Sequence, residues 1–144
     1  MPASLKGLVA LPCAMLLAVG LAACGAKSVS TSSFTGEEHE VAQTIANLQS
    51  DVSAADQQKI CANDLAGAVV ARLNAASGGC KQAVKNQLAE IDSTEMTVQT
   101  VQLSGAGAHK TATAHVNSIF SGKTRASTLS LVKEGGKWKI SAVV

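Results

Sequence analysis

Residues 95–144 read EMTVQTVQLSGAGAHKTATAHVNSIFSGKTRASTLSLVKEGGKWKISAVV, and this stretch decides the fold. Apolar and polar residues alternate along it, which is the period expected of β-strands with one buried face. Glycine-containing breaks at residues 104–108, 121–122 and 135–136 divide the stretch, and the last two are two-residue hairpin signals. The pattern predicts four antiparallel strands joined as a meander.

The phase of the alternation predicts which side chains face inward. The first strand changes phase between Val98 and Val101. Because a slip of one residue turns side chains to the other face, we predict a β-bulge at Gln99 and Thr100. The expected inner face of the next three strands consists of Ala112, Ala114, Val116 and Phe120, then Leu129 and Leu131, then Trp138, Ile140, Ala142 and Val144.

The residues before this stretch have the helical period. Thr35 and Glu38 fit a capping box at the start of a helix. Three apolar faces follow, at Val41, Ile45, Leu48 and Val52, then Leu65, Val69, Leu73 and Ala76, then Cys80, Val84, Leu88 and Ile91. Helices followed by a meander predict an α+β fold, with N-terminal helices packed on a curved four-stranded antiparallel sheet.

The first 26 residues are typical of an export signal. Lys6 precedes the uncharged residues 7–26, and the stretch leads to an aliphatic residue, two small residues and a cysteine: Leu21, Ala22, Ala23 and Cys24. This motif resembles the lipobox of bacterial lipoproteins. The resemblance implies that residues 1–23 are a cleaved signal peptide and that the Cys24 thiolate accepts lipid. An ordinary cleaved signal and an uncleaved anchor are the alternatives.

Lipid on Cys24 would make the membrane a partner and would place the exported protein at the cell membrane or cell envelope. Residues 24–36 are then the lipidated cysteine and a small, polar, flexible tether, in which Phe34 could pin the domain edge. Residues 37–144 are long enough for a single domain with its own core.

Composition argues against a nucleic-acid partner. The formal net charge is only +2, whereas phosphate binding needs a clustered basic surface. Aromatic residues make up 2% of the chain, which is too few for base-stacking platforms.

Cys61 and Cys80 are the cysteines left for the domain, since Cys13 lies in the leader. An even pair in an exported protein predicts a disulfide. The Cα atoms must then approach within about 7 Å. The helix between them must therefore end early, near Asn74, and residues 75–79 must double back. A catalytic redox pair usually has Cys-x-x-Cys spacing, and a zinc ion needs more ligands than two cysteines. A redox role and a zinc site are therefore less favoured than a structural disulfide.

The cysteine pair and the terminal Gly135, Gly136, Lys137, Trp138, Lys139 and Ile140 carry a second resemblance. Over residues 35–144 the chain resembles the small NTF2-like (cystatin-like) lipoproteins of actinobacteria. The resemblance implies a sheet wrapped around helices to form a cone that could hold a pocket. Some NTF2-like proteins are isomerases or cyclases with an Asp or His base and a Tyr or Asp partner. This chain has no Tyr, and a fold by itself assigns no activity.

The titratable residues form no catalytic constellation in the sequence. Apart from Glu95 at its very start, Glu134 is the one acid in the meander, and it lies beside a turn, so we expect no carboxylate on an inward strand position where burial would raise its pKa. His115 is the remaining candidate. It is two residues from Thr113, so both side chains lie on the face of the strand that points away from the core. There His115 is either a solvated surface residue or a functional one. His109 would lie about 20 Å away along one strand, too far for a shared metal. We therefore predict no catalytic residue, no metal site and no cofactor.

These observations predict a membrane-anchored exported lipoprotein with a small non-enzymatic binding or interaction domain. One alternative is a carrier that holds a small apolar ligand in the cone. Another is an enzyme that uses His115. A measured cavity would favour the carrier, whereas a filled cone with an apolar outer patch would favour an envelope protein as partner.

Overall fold

The computed structural model describes residues 30–91, 94–120 and 122–144. Within these ranges the helices are α1 (Gly36–Ser53), α2 (Gln57–Lys59), which continues as a π-helical turn (Ile60–Asp64), α3 (Gly67–Asn74) and α4 (Gly79–Leu88). The strands are β1 (Thr94–Ser104), β2 (Thr111–Phe120), β3 (Lys123–Glu134) and β4 (Lys137–Val143), and a 3₁₀ turn (Gly107–His109) links β1 to β2. None of the helices in this part of the chain is long and apolar enough to cross a membrane.

Some predictions concern residues outside these ranges. They are the signal peptide with Leu21, Ala22 and Ala23, the lipid attachment at Cys24, and the inward position of the Phe120 side chain.

The strands form one antiparallel sheet in the order β1-β2-β3-β4. The predicted meander and the α+β class are therefore confirmed. The pairing of β1 with β2 shifts between Val98 and Thr100, so the predicted bulge is also confirmed. Gly135 and Gly136 both have positive φ, 56° and 80°, which is what a type I′ hairpin turn requires of its two central residues.

The prediction for the end of β4 is wrong. The pairing of β4 with β3 shifts by one residue at Ser141. Because one extra residue reverses the alternation of faces, Ala142 and Val144 lie on the outer face of the sheet, where Val144 is 86% exposed. Val143 instead takes the inner-face position opposite Leu129, where it is 65% exposed.

Helix α1 packs its apolar side onto the inner face of the sheet. Its Val41 and Ile45 are fully buried in one cluster with Val116 and Leu131, and these four are the largest fully buried side chains of the described residues. Phe34 packs against the same cluster, as expected for a residue at the domain edge. Side chains therefore pack closely where α1 covers the sheet.

Thr35 is the N-cap of α1, but the predicted capping box does not form. The Thr35 side chain makes no capping hydrogen bond. The next residue, Gly36, has a left-handed backbone with φ of 58°. The first turn thus departs from the helical geometry that a capping box requires.

The Cys61–Cys80 disulfide closes the segment from α2 to α4, with 6.2 Å between the Cα atoms. Helix α3 ends at Asn74, where the disulfide geometry requires it to end. The Asn74 side-chain oxygen accepts a hydrogen bond from the Cys80 backbone N–H at 2.9 Å, which holds the reversed chain in place. The spacing of Leu65 predicted that it belongs to the apolar face of this helix, which is wrong. Helix α3 begins only at Gly67, and Leu65 forms a parallel β-bridge to Ile140 of β4.

Candidate functional site: a polar groove beside the first helix

An open groove of about 580 Å³ runs along the polar side of α1. We call it the α1 groove. Its other walls are the end of the π-helical turn and the turn between β3 and β4. The lining includes amide and hydroxyl side chains, Gln43, Thr44, Asn47, Ser50 and Asn63, and charged or titratable ones, His39, Glu40, Asp51, Asp64 and Lys137. Trp138 completes the wall on the side of β4.

The π-helical turn places Asp64 in this groove. The Leu65 backbone N–H donates to the Ile60 carbonyl at 3.1 Å, a bond across five residues that makes the turn wider than an α-helical one. The next residue along, Ala66, donates its N–H to the Ile140 carbonyl at 2.8 Å and ties the turn to the edge of β4. Asp64 is the residue directly before these two attachments, and it is only 3% exposed.

The surroundings of Asp64 disfavour its ionised form. Burial, followed by the negative charge of Asp51 on α1, raises the pKa of the Asp64 carboxyl to about 7, and Lys139 opposes the shift. Its Oδ2 atom is buried without a hydrogen-bond partner among the described residues. Asp64 can therefore hold or release a proton near neutral pH.

Asp64 was not among the residues predicted from the sequence. A carboxylate with a raised pKa was expected only on an inward strand position, and Asp64 lies in a helical turn. Asp64 follows the buried Ile60 by four residues, and that spacing puts both side chains on one helical face. This is the one local signal that could have identified it.

Trp138 is the second buried polar residue of the groove. It points inward from β4 with 4% of its surface exposed, and its Nε1 donor has no partner among the described residues. The Lys133 ammonium lies 5.4 Å from the centre of its ring, close enough for a cation–π contact.

Ion pairs hold the N-terminal end of α1 against the sheet next to the groove. Lys133 Nζ lies 2.7 Å from Glu37 and 3.1 Å from Glu40, and Lys110 Nζ lies 2.7 Å from Glu37. Hydrogen bonds from Lys110 and Lys133 lower the pKa of Glu37, and those to Glu37 and Glu40 raise the pKa of Lys133. The pairs join α1 to β3 and to the residue before β2.

At the other end of the groove, Lys59 Nζ lies 3.8 Å from Asp51 and 3.5 Å from Asp56. Lys139 Nζ donates to the Ala62 carbonyl at 2.8 Å, which fastens the π-helical turn to β4. The acidic groups of the groove thus have lysines close by.

The structure places the predicted candidate His115 away from this site. It is exposed on the outer face of the sheet, and its Nδ1 lies 3.1 Å from Thr128 Oγ1. Glu134 is exposed and accepts from the Gly67 N–H at 3.0 Å, so it helps to hold the start of α3. Among the described residues, no group of three or more His, Cys, Asp or Glu side chains is placed to hold a metal ion.

No family model and no curated protein matches this chain. Among solved structures, a variant of a chain named Rd1NTF2_05 is 16% identical with a TM-score of 0.49, and the match covers 75% of this chain and 97% of that one. A Streptomyces avermitilis protein of the NTF2-like family, provisionally designated a dehydratase, is 13% identical with a TM-score of 0.49, over 72% of this chain and 90% of its own. A Shewanella frigidimarina protein, provisionally designated a ketosteroid isomerase, is 17% identical with a TM-score of 0.42, over 72% and 92%.

A protein of the NTF2-like family is thus among the solved structures to which the domain is similar. The α+β assignment rests on the strand order and pairing of the domain itself.

Proposed function

We propose that this chain is an exported lipoprotein, held at the cell membrane or envelope by lipid on Cys24, whose small α+β domain binds a ligand or partner without catalysing a reaction. The observation that carries the proposal is the motif of Leu21, Ala22, Ala23 and Cys24 after an uncharged leader. Two acyl chains or more hold a protein stably on a bilayer, whereas one holds it only marginally.

The packing of the domain supports binding at its surface rather than in its interior. Val41 and Ile45 of α1 and Val116 and Leu131 of the sheet are each less than 2% exposed, so no ligand-sized space separates them from their neighbours. This weighs against the carrier hypothesis. The outer surface and the α1 groove are left for recognition.

The positions of the titratable residues support a non-enzymatic role. Asp64 lies in the α1 groove beside the edge of β4, whereas His115 is exposed on the outer face of β2, so the two are not brought together in one site. His115 is near Thr128 on an open face that offers no enclosure for a reaction.

The proposal is tested by mass spectrometry of the protein extracted from membranes of its own host. The expected mass is that of residues 24–144 plus a diacylglycerol and an acyl group, less two hydrogens for the Cys61–Cys80 disulfide. A Cys24→Ser variant should lose the lipid mass and leave the membrane fraction. A Cys13→Ser variant is the matched control and should keep both.

A mature chain without lipid, or an intact leader in the wild-type protein, would overturn the anchoring. Native spectra from the same extract test the binding role, because a bound ligand would add a non-covalent mass to the lipidated chain.

A further inference from the structure

We propose that the α1 groove binds a neutral polyhydroxylated ligand, a sugar or a segment of glycan chain, through Asp64, Trp138 and the amide side chains of α1. This rests on the proposed binding function and names the ligand class and the residues that would recognise it.

The first argument is the pair of unpartnered polar atoms. Asp64 Oδ2 and Trp138 Nε1 are both buried, both lack a hydrogen-bond partner among the described residues, and both residues line the same groove. Buried polar atoms without partners are unfavourable and uncommon in folded proteins. A site that receives a ligand is one setting in which such atoms persist.

The chemistry of the two atoms indicates hydroxyl groups on the ligand. The indole Nε1–H of Trp138 can only donate, whereas a carboxyl oxygen of Asp64 accepts when ionised. A hydroxyl group can accept from the first and donate to the second. Neither atom faces the open groove in the structure, so binding through them requires the Asp64 or Trp138 side chain to turn toward the ligand.

The α1 wall offers further groups of the same kind. Gln43 Nε2 donates to Asn47 Oδ1 at 3.0 Å, which fixes both amides on one side of the helix. The bond leaves the Gln43 oxygen as an acceptor and the Asn47 nitrogen as a donor for a ligand. Amide groups with both functions are suited to the alternating donors and acceptors of a sugar ring.

The charges around the groove favour a neutral ligand. Glu40 is paired with Lys133 at 3.1 Å and Asp51 with Lys59 at 3.8 Å, so neither carboxylate stands alone. Burial raises the pKa of Asp64 to about 7, so its carboxyl is partly protonated at neutral pH. The groove therefore presents neither a strong cation site nor a phosphate site.

The shape of the groove fits this ligand class. Its volume, about 580 Å³, lies in the range of small-molecule sites, about 300–1,000 Å³. It is open to solvent, so one unit of a longer sugar chain can also bind there. A free sugar and an envelope polysaccharide present the same hydroxyl groups. The experiment distinguishes these two sources by using soluble trisaccharides for the first and insoluble polysaccharide for the second.

The test uses the full lipidated protein in lipid nanodiscs. Trp138 is the only tryptophan of the chain, so its indole N–H gives a single NMR signal that reports on the groove. We would titrate maltotriose and chitotriose as soluble probes, and measure co-sedimentation with insoluble envelope polysaccharide purified from the host. The expected result is a saturable shift of the indole signal with a trisaccharide for a free-sugar site, or co-sedimentation for a polymer site.

Matched variants locate the site. Asn47→Ala should weaken binding about tenfold, the effect of losing one good hydrogen bond. Asn86→Ala is the control, since Asn86 accepts from Gln82 at 2.8 Å on the exposed side of α4, away from the groove. It should leave the affinity unchanged. Trp138→Phe keeps a ring but removes the donor, and calorimetry should show weaker binding.

The inference is overturned if neither trisaccharide moves the indole signal and the polysaccharide does not sediment the protein. It is also overturned if Asn86→Ala weakens binding as much as Asn47→Ala. A water molecule that stays in contact with the indole N–H at saturating sugar would show that solvent satisfies Trp138, and would equally refute the site. None of these results affects the lipid on Cys24, so failure of the site is distinguishable from failure of the proposed anchoring.

Discussion

The carboxyl group of Asp64, in the π-helical turn, interacts with that of Asp51 on α1, and both line the α1 groove. Burial of Asp64 is the larger cause of its raised pKa, and the charge of Asp51 adds to it. Two like-charged groups held together favour retention of a proton. This relationship sets the pH dependence expected of the domain.

We expect Asp64 to make the domain less stable as the pH rises. Its pKa is about 7 in the folded chain against 3.8 as the ordinary value, so the folded state binds more protons between these limits. The contribution of Asp64 to the free energy of unfolding is therefore fully present below about pH 4 and is lost as the pH rises through about 7. Asp64→Asn should remove this dependence, measured by urea denaturation at a series of pH values.

Glu90→Gln is the control for this substitution, because Glu90 is exposed on the surface after α4. It should leave the wild-type pH profile in place. An Asp64→Asn protein with the same profile as wild type would show that Asp64 is ionised in the folded chain.

Replacing Lys133 by Met should lower the melting temperature of the domain at low salt. The substitution removes the ion pairs to Glu37 and Glu40 and leaves Glu37 with Lys110 alone. The loss should shrink as salt is added, because partly exposed pairs are screened. It should also shrink in acid, since Glu37 has a lowered pKa and its stabilising contribution disappears as the pH falls through that value.

Thermal melts at two salt concentrations check this prediction. Lys123→Met, at the exposed start of β3, is the comparison and should change little. Equal losses for the two variants at every salt concentration would mean that the ion pairs do not stabilise the domain.

Removing the disulfide by Cys61→Ala with Cys80→Ala should cost about 3 kcal/mol of stability. The bridge closes a loop between residues 19 positions apart, and breaking it restores the freedom of that loop in the unfolded chain. Urea denaturation with and without reductant measures the effect. Reductant should destabilise the wild type by a similar amount and leave the double variant unchanged, whereas a reductant-insensitive wild type would argue that the cysteines are not bridged.

Ile45→Ala should destabilise the domain by about 2–5 kcal/mol, because Ile45 is fully buried between α1 and the sheet and its removal opens a cavity. Ile119→Ala is the matched change on the outer face, where Ile119 is only partly buried opposite Glu95. The smaller loss expected there is measured by chemical denaturation of both variants. Similar losses would contradict the filled interior on which the argument against an apolar carrier depends.

Local signals were sufficient for much of the architecture. The bulge after Val98 and the hairpin at Gly135 and Gly136 follow from phase and turn chemistry within a few residues, and both are present. The end of α3 at Asn74 follows from one distance constraint, since the two cysteines have to meet. The second bulge, at Ser141, had no such signal. Residues 142–144 are all apolar, so the alternation of apolar and polar residues does not show on which face each of them lies.

By itself, the sequence determined the strand order, the helical face of α1 and the residues of the disulfide, and it predicts the lipid anchor that no described residue tests. These depend on periodicity and on spacing along the chain. Only the tertiary structure decided that Asp64 and Trp138 share a groove, since they are brought together by the bond between Ala66 and Ile140 and by the packing of α1. Burial is a property of what packs around a residue, so distant segments set the pKa of Asp64, and its Oδ2 has no partner among the residues that the structure describes.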